Sequence, residues 1–469
     1  MRLKFIIAVS LALVLIAAGA LYERYEVRNI SEKKTTNEQP VNEILVQNEN
    51  NSIEYFLNQV NPENGLIRDH STNDSPSSIA AVGFGLTSLV IANQNGLIPY
   101  NFTYDRILTT LNYFYNLTNY NGFYFHFINM NNGTRAYDSE VSPIDTTLFI
   151  AGALFAGQYF HGTAIQTMAE KLYERINWQW MTNNTNLLDL AWYPESGFSP
   201  YYWTGYSEAA LMYILAIGSP THPIPVEDWY SWISTWQTNG NGALRHYASY
   251  DESEFTYLYS EAYLNLTNMS FPVIGNLWDN SKKAIEYDIS FCQNNTQYTT
   301  YKDGFWGLSA STGPSGYQAY GAKNGFTDGT VAPYAMIGAL PFLPNQSKDI
   351  VMNLWHMKNL TYGRYGFIDA FNIGDNWYSS EYLGIDVGIE ILMEQNYFNG
   401  FVWNEFMKLS CVQNALSDII NYESPQFYKL KVCLPSSAFL RFLMTVFGAN
   451  RYCYQSLDKK ITSKMKIAR

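Results

Sequence analysis

Apolar segments of helical length alternate with long polar and aromatic loops along most of this 469-residue chain. Ser78–Ala92, Ile144–Tyr159 (IDTTLFIAGALFAGQY), Glu208–Leu215 and Lys348–His356 read as helices. Between them, Gly65–Pro76, Gly122–Glu140 and Trp192–Trp203 read as long loops, which in a compact domain usually carry function. Strand signals are few. The best is Gly122–Tyr137, where aromatics alternate around an Asn132-Gly133 turn. Helix–loop repetition with one minor β-hairpin predicts an all-α fold.

The ends of the chain read differently. Arg2 and Lys4 precede an apolar run from Ile6 to Leu21, and Ala18-Gly19-Ala20 offers a small-residue cleavage site. Residues 1–21 therefore read as an export signal or a membrane anchor. Residues 22–50 are polar without apolar period and read as a linker. The body is expected over 51–415. Residues 416–469 read as a separate basic tail of unassigned role, because Lys429–Arg469 holds nine basic residues against one acid, Asp458. Asn-X-Ser/Thr sequons recur from Asn29 to Asn359, which suits an extracellular body.

The formal charge of −12 argues against nucleic acid as a partner, since phosphate contact needs a basic face. Aromatics make up 16% of the residues and charged residues only 15%, a surface suited to stacking on flat sugar rings. The six His follow no metal-ligand spacing, and no P-loop or nucleophile elbow occurs. No metal and no cofactor is expected.

Carboxylates set among aromatics remain. Glycoside hydrolysis uses such a set: one carboxyl protonates the leaving oxygen, and another activates water or attacks. In Asp138–Thr146, Ser142 can be an N-cap, Pro143 the first helical residue and Asp145 the third. Glu140 stands just before that helix. Glu208 opens the next apolar segment. A plain capping role is open to Asp145 and to Glu208. Trp192, Glu195 and Trp203 line the loop upstream. Trp306 and Tyr317 lie in Gly-rich stretches further on, followed by Asp369, Trp377 and Asp386. Glu208, Asp145 and Glu140 are the candidate catalytic residues. Asp386, Glu195, Trp192, Trp203, Trp306, Tyr317, Asp369 and Trp377 are candidates for sugar binding.

The stretches GLIRDHSTNDSPSSIAAVGFGLTSL, SEVSPIDTTLFIAGAL, PESGF, GYSEAALMYILAIGSPTHPI, GFWGLSAS, GYQAYG, DGTVAPYA, YGFIDAFN and YLGIDVGIEILMEQN, in this order, resemble the glycoamylase-like family. That family includes β-1,2-glucan hydrolases and a domain of cyclic β-1,2-glucan synthases. The resemblance implies an (α/α)6 toroid with its site at one end of the helices. It also implies that Asp145, Glu208 and Asp386 face the sugar, and a metal-free hydrolysis or transglycosylation of a glucan. Three positions depart from the family pattern: Thr312 stands where an acid is usual, and Val387 and Ile389 interrupt the usual IDQG-Pro. The expected protein is thus an exported glycoside hydrolase acting on a glucan or related polysaccharide. A surface glycan-binding protein without chemistry is the alternative.

Overall fold

The structure, a computed structural model, describes residues 40–422. The expected export segment, and all but the first residues of the expected basic tail, lie outside the described residues. The linker expected over 22–50 is described only from residue 40. There the chain is already helical, with Val41, Leu45 and Asn48 buried, so this part belongs to the body.

The main helices are α1 (residues 40–58), α2 (Ile79–Gln94), α3 (Tyr100–Asn116), α4 (Pro143–Tyr159), α5 (Ala164–Glu174), α6 (Ala210–Ile217), α7 (Val226–Ile233), α8 (Phe255–Tyr263), α9 (Leu277–Asn294), α10 (Pro333–Gly338), α11 (Pro344–His356), α12 (Gly384–Asn399) and α13 (Ser410–Asn421). Two kinds alternate. In α2, α4, α6, α8, α10 and α12 nearly every residue is buried, as expected of helices apolar all round. In α3, α5, α7, α9 and α11 only one face is buried, the pattern of an outer layer.

The buried helices are neighbours in chain order. α2 touches α4 and α12, α4 touches α6, α6 touches α8, and α10 touches α12. Gly338 of α10 faces Leu258 of α8 so closely that a Cβ would lie 2.7 Å from its Cδ1. The α2–α4 crossing needs glycine on both sides: a Cβ at Gly83 would meet the Leu148 carbonyl oxygen at 2.2 Å, and one at Gly152 the Gly83 oxygen at 2.0 Å. Among the described residues no helix is long and apolar enough to cross a membrane.

The expectation of a single minor hairpin is corrected: six small antiparallel sheets decorate the helices. The Asn132-Gly133 turn does form, and Ile128 bridges Arg135 across it. Yet Tyr124–Phe125 pairs with Val141–Ser142, and that strand continues the sheet to Trp192–Tyr193 and Gly197–Phe198. Alternation showed which residues were extended but not their partners, because pairing here joins loops far apart in sequence.

Candidate functional site

Each buried helix is preceded by, or opens with, an acid. Asp69 lies upstream of α2, Glu140 and Asp145 flank the start of α4, Glu208 precedes α6, Asp251 precedes α8, Asp328 precedes α10, and Asp386 sits in the first turn of α12. A helix N-terminus favours negative charge. Local capping alone does not explain the arrangement, because the acids also feel one another. Asp145 is raised by burial, and the charges of Glu140 and Asp69 add to that. The charges of Asp251 and Asp145 add to Glu208, and that of Asp69 to Asp386.

The start of α4 is built as the sequence predicted. Ser142 Oγ accepts from Asp145 N at 3.1 Å, with Pro143 in the first turn. The same hydroxyl donates to Asp145 Oδ2 at 2.5 Å. The unexpected member is His126. Its Nδ1 lies 3.0 Å from Glu140 Oε1 and its Nε2 3.5 Å from Asp145 Oδ1. Burial disfavours the imidazolium, but Asp145, Glu140 and Asp69 outweigh it and push the pKa up to about 9. Burial also opposes ionisation of Glu140, but the hydrogen bond and charge of His126, with Arg135, leave that carboxyl below its usual range. His70 repeats the device. Its Nε2 is 3.1 Å from Asp69 Oδ2 and its Nδ1 3.1 Å from Glu381 Oε2. The Asp69 hydrogen bond leads in pushing it up to about 9.

Unlike Glu140 and Asp145, Glu208 has no cationic partner among its influences. Burial pushes it up to about 7, so it titrates near neutral pH, while Glu140 lies below its usual range. Asp369 and Asp386 form a second kind of acid pair. Both are buried, and their Oδ1 and Oδ2, respectively, lack any other partner. Asp369 Oδ2 accepts from Thr312 N at 2.8 Å. Burial and then its partner raise Asp386 well above the usual range, while Asp369 is pushed up to about 6, so the pair shares a proton. Tyr317 is 51% exposed. Burial of its hydroxyl and the charges of Asp386, Asp369, Asp69 and Asp251 raise it well above the normal range. All four acids thus act on the Tyr317 hydroxyl.

Glu140, Asp145, Glu208, Asp369, Asp386 and Tyr317 therefore share one electrostatic neighbourhood. The other candidates stand apart from it. Glu195 is exposed and paired with Arg135 Nη1 at 2.6 Å. The Trp192 ring packs against Tyr120 and Trp180, with centroids at 4.7 and 5.6 Å. Trp306 is buried, so it offers no free ring face. Trp203 and Trp377 are half-buried, and Trp377 pairs with Asn372 in a strand. A cavity of about 440 Å³ is lined by Arg68, Asn73, Asn129, Thr134, Arg135 and Tyr137, among others.

Sequence reasoning missed Asp69, His70, His126, Asp251 and Glu381. The histidines were dismissed for lacking metal spacing. The usable signal was position: each precedes a buried helix, as the acids do. One ligand atom from each of His126, Glu140 and Asp145 falls within 4.8 Å of the others, a spacing that can hold a metal ion.

The Glycoamylase family model, described as "Putative glucoamylase", matches residues 200–410. The resemblance to the glycoamylase-like family is borne out. An exo β-1,2-glucooligosaccharide sophorohydrolase of Parabacteroides distasonis is 25% identical over 417 residues, covering 80% of this chain. The chain spans only 57% of that relative's length. Among solved structures, an endo-β-1,2-glucanase from Chitinophaga pinensis, in complex with sophorotriose and glucose, aligns with a TM-score of 0.76 at 26% identity. The alignment covers 82% of this chain and 99% of that one. A β-1,2-glucanase from P. distasonis shares the fold with a TM-score of 0.76 at 24% identity, over 81% of this chain and 60% of its own.

Proposed function

We propose that this chain is an exported β-1,2-glucan hydrolase on an (α/α)6 toroid, working by carboxylate acid/base catalysis without a metal. The observation that carries the reading is Glu208. It is a buried acid whose pKa is pushed up to about 7, set among other carboxyls, in a fold matching a sophorotriose-bound β-1,2-glucanase over 82% of this chain. The toroid rests on the alternation of buried and one-faced helices and on the succession of contacts between the buried ones.

Glu208 has the pKa wanted of a general acid at neutral pH, where it protonates the glycosidic oxygen as the bond breaks. Asp145, its charge favoured by His126 and Ser142, supplies the ionised partner that glycoside hydrolysis requires. Glu140 braces that partner through His126. The Asp369–Asp386 pair presents both a donor and an acceptor to sugar hydroxyls. The cavity between Arg68 and Tyr137 takes further sugar units. Its amide and hydroxyl lining can hydrogen-bond a glucan chain.

Export rests on the apolar N-terminal run, read as a signal or membrane anchor, and on the sequons. Most sequon asparagines in the body, among them Asn73, Asn101 and Asn294, are exposed and so reachable for glycosylation. The deciding assay is reducing-end release from β-1,2-glucan, with and without EDTA. Release unaffected by EDTA is expected. Tight glucan binding with no release would return the protein to the glycan-binding reading, and loss of activity with EDTA would turn attention to His126 as a ligand.

A further inference from the structure

We propose that His126 is a positioning residue: its imidazolium bridges Glu140 and Asp145, fixes both carboxylates in place, and thereby leaves Glu208 as the group that carries the reacting proton. The inference rests on the hydrolase reading but adds a residue and a role to it. Its basis is geometric. The ring makes one contact at each nitrogen, 3.0 Å to Glu140 and 3.5 Å to Asp145. Nδ1 is in hydrogen-bond range of Glu140 and Nε2 in ion-pair range of Asp145, so a protonated ring attracts both carboxylates at once.

One face of the ring is covered, and the backbone beside it is tied down. It stacks on Phe127 with centroids 3.8 Å apart and 19° between planes. Its backbone N donates to Glu140 O at 2.9 Å, and its carbonyl accepts from Ile79 N at 3.2 Å, at the start of α2. His126 thus ties the loop before α4 to the head of α2. Its side chain is 28% exposed, open enough to exchange a proton with solvent. The charged groups that bear on it are Glu140, Asp145 and Asp69, all acidic. Arg135 acts on Glu140 from the far side.

The consequence is a division of labour among three acids. Asp145 is buried, and burial alone would leave it protonated further up the pH scale. The imidazolium opposes that. Burial still prevails at Asp145, but less than it would without the cation, and Glu208 has no such cation. Without the His126 charge, Asp145 and Glu208 would compete for the same proton, and the acid and base of the pair would no longer be distinct.

Two measurements on the full chain test this. The first is NMR titration of the His126 ring, with ¹³C-labelled histidine and a His126→Gln spectrum for assignment. It needs no turnover, so it stands even if the chain hydrolyses no glucan. A midpoint near 9 that falls by a unit or more in Glu140→Gln is expected; a midpoint at or below 6.5 overturns the proposal. The second is the pH–rate profile of His126→Gln on β-1,2-glucan, with a thermal melt to confirm folding. Gln can still donate one hydrogen bond but carries no charge. We expect kcat to fall about tenfold or more at pH 7 with KM little changed, and the acid limb to move up by about one unit. A uniform loss at every pH with an unmoved acid limb would make His126 a packing residue only. His126→Lys should restore part of the lost activity if charge is the operative property, and none if it is not.

Discussion

Two populations of acid meet different neighbours, one at Glu140 and Asp145 and the other along helix α12. Asp386 lies in its first turn, at the site. Glu390 and Glu394 follow at four-residue steps, so all three point along one face. At the rim around Asp69, Glu140 and Asp145, buried carboxyls meet imidazolium rings and helix N-termini. In the interior, Glu390 and Glu394 meet an amide. Asn48 Nδ2 donates to both, while Asn48 Oδ1 accepts from Phe367 N at 2.9 Å, which fixes the amide's orientation. Burial pushes Glu390 up to about 8 and Glu394 well beyond the usual range, and Glu49 beside them to about 7. An imidazolium favours the charged form of Glu140 and Asp145, and no cation does so for Glu390 and Glu394. Burial is common to both, so the neighbour decides the protonation state. Glu208 has the interior's chemistry at the rim's address, which is what a general acid needs.

The largest expected effect contrasts the two populations by the same substitution. Glu208→Gln removes a transferable proton from the site and should lower kcat by roughly 10²–10⁴-fold. Glu390→Gln replaces a carboxyl that already holds its proton, with an isostere that holds its shape. Its activity should stay within about threefold of the parent. Equal inactivation by both would mean that α12 acids act as one unit with the site, and the division would fall.

Stability sharpens the same contrast. A carboxyl whose folded pKa is raised stabilises fully below its unfolded value near 4.5, and that contribution is lost as pH rises through the folded value. For Glu390 and Glu261, both pushed to about 8, the window runs from about 4.5 to 8. His70 and His126, raised from 6.5 to about 9, lose their contribution between those limits, in the same direction. The melting temperature should therefore fall steadily from pH 5 to pH 9. Glu390→Gln should flatten the fall, being more stable than the parent at pH 9 by an amount on the order of 2–4 kcal/mol. A parent protein most stable at pH 8–9 would contradict the interior assignment.

Much of this was legible beforehand, and the omissions share a cause. The buried helices could be read because their sequences, such as IDTTLFIAGALFAGQY, admit no polar face. The Ser142–Pro143–Asp145 start could be read because capping is local chemistry. Asp145, Glu208 and Asp386 emerged because each lies at such a start. His126 and His70 stayed hidden because a bridging imidazolium is defined by residues far apart in sequence: Glu381 is 311 positions from His70. The same holds for the small sheets, whose strands of two or three residues carry too short a pattern to show their partners. How far each candidate Trp ring is covered was illegible for a different reason. A Trp in a loop reads alike whether its ring faces sugar or, as with Trp306, is covered by protein.

The smallest effect separates capping from charge control at neighbouring helix starts. Ser78 caps α2 by accepting from Ala81 N at 3.4 Å, with no acid in the first turn. Ser142 caps α4 and also donates to the Asp145 carboxylate. Either Ser→Ala change removes a cap and should cost about 1 kcal/mol, with a drop of a few degrees in melting temperature. Only Ser142→Ala also takes a hydrogen bond from the ionised form of Asp145, a bond that works against burial. The Asp145 pKa should then rise, and the acid limb of the pH–rate profile should move up by a fraction of a unit while KM is unchanged. Ser78→Ala should leave the limb where it was. If both variants shift the limb alike, the α4 cap is acting through fold stability, and the placing of Asp145 depends on His126 alone.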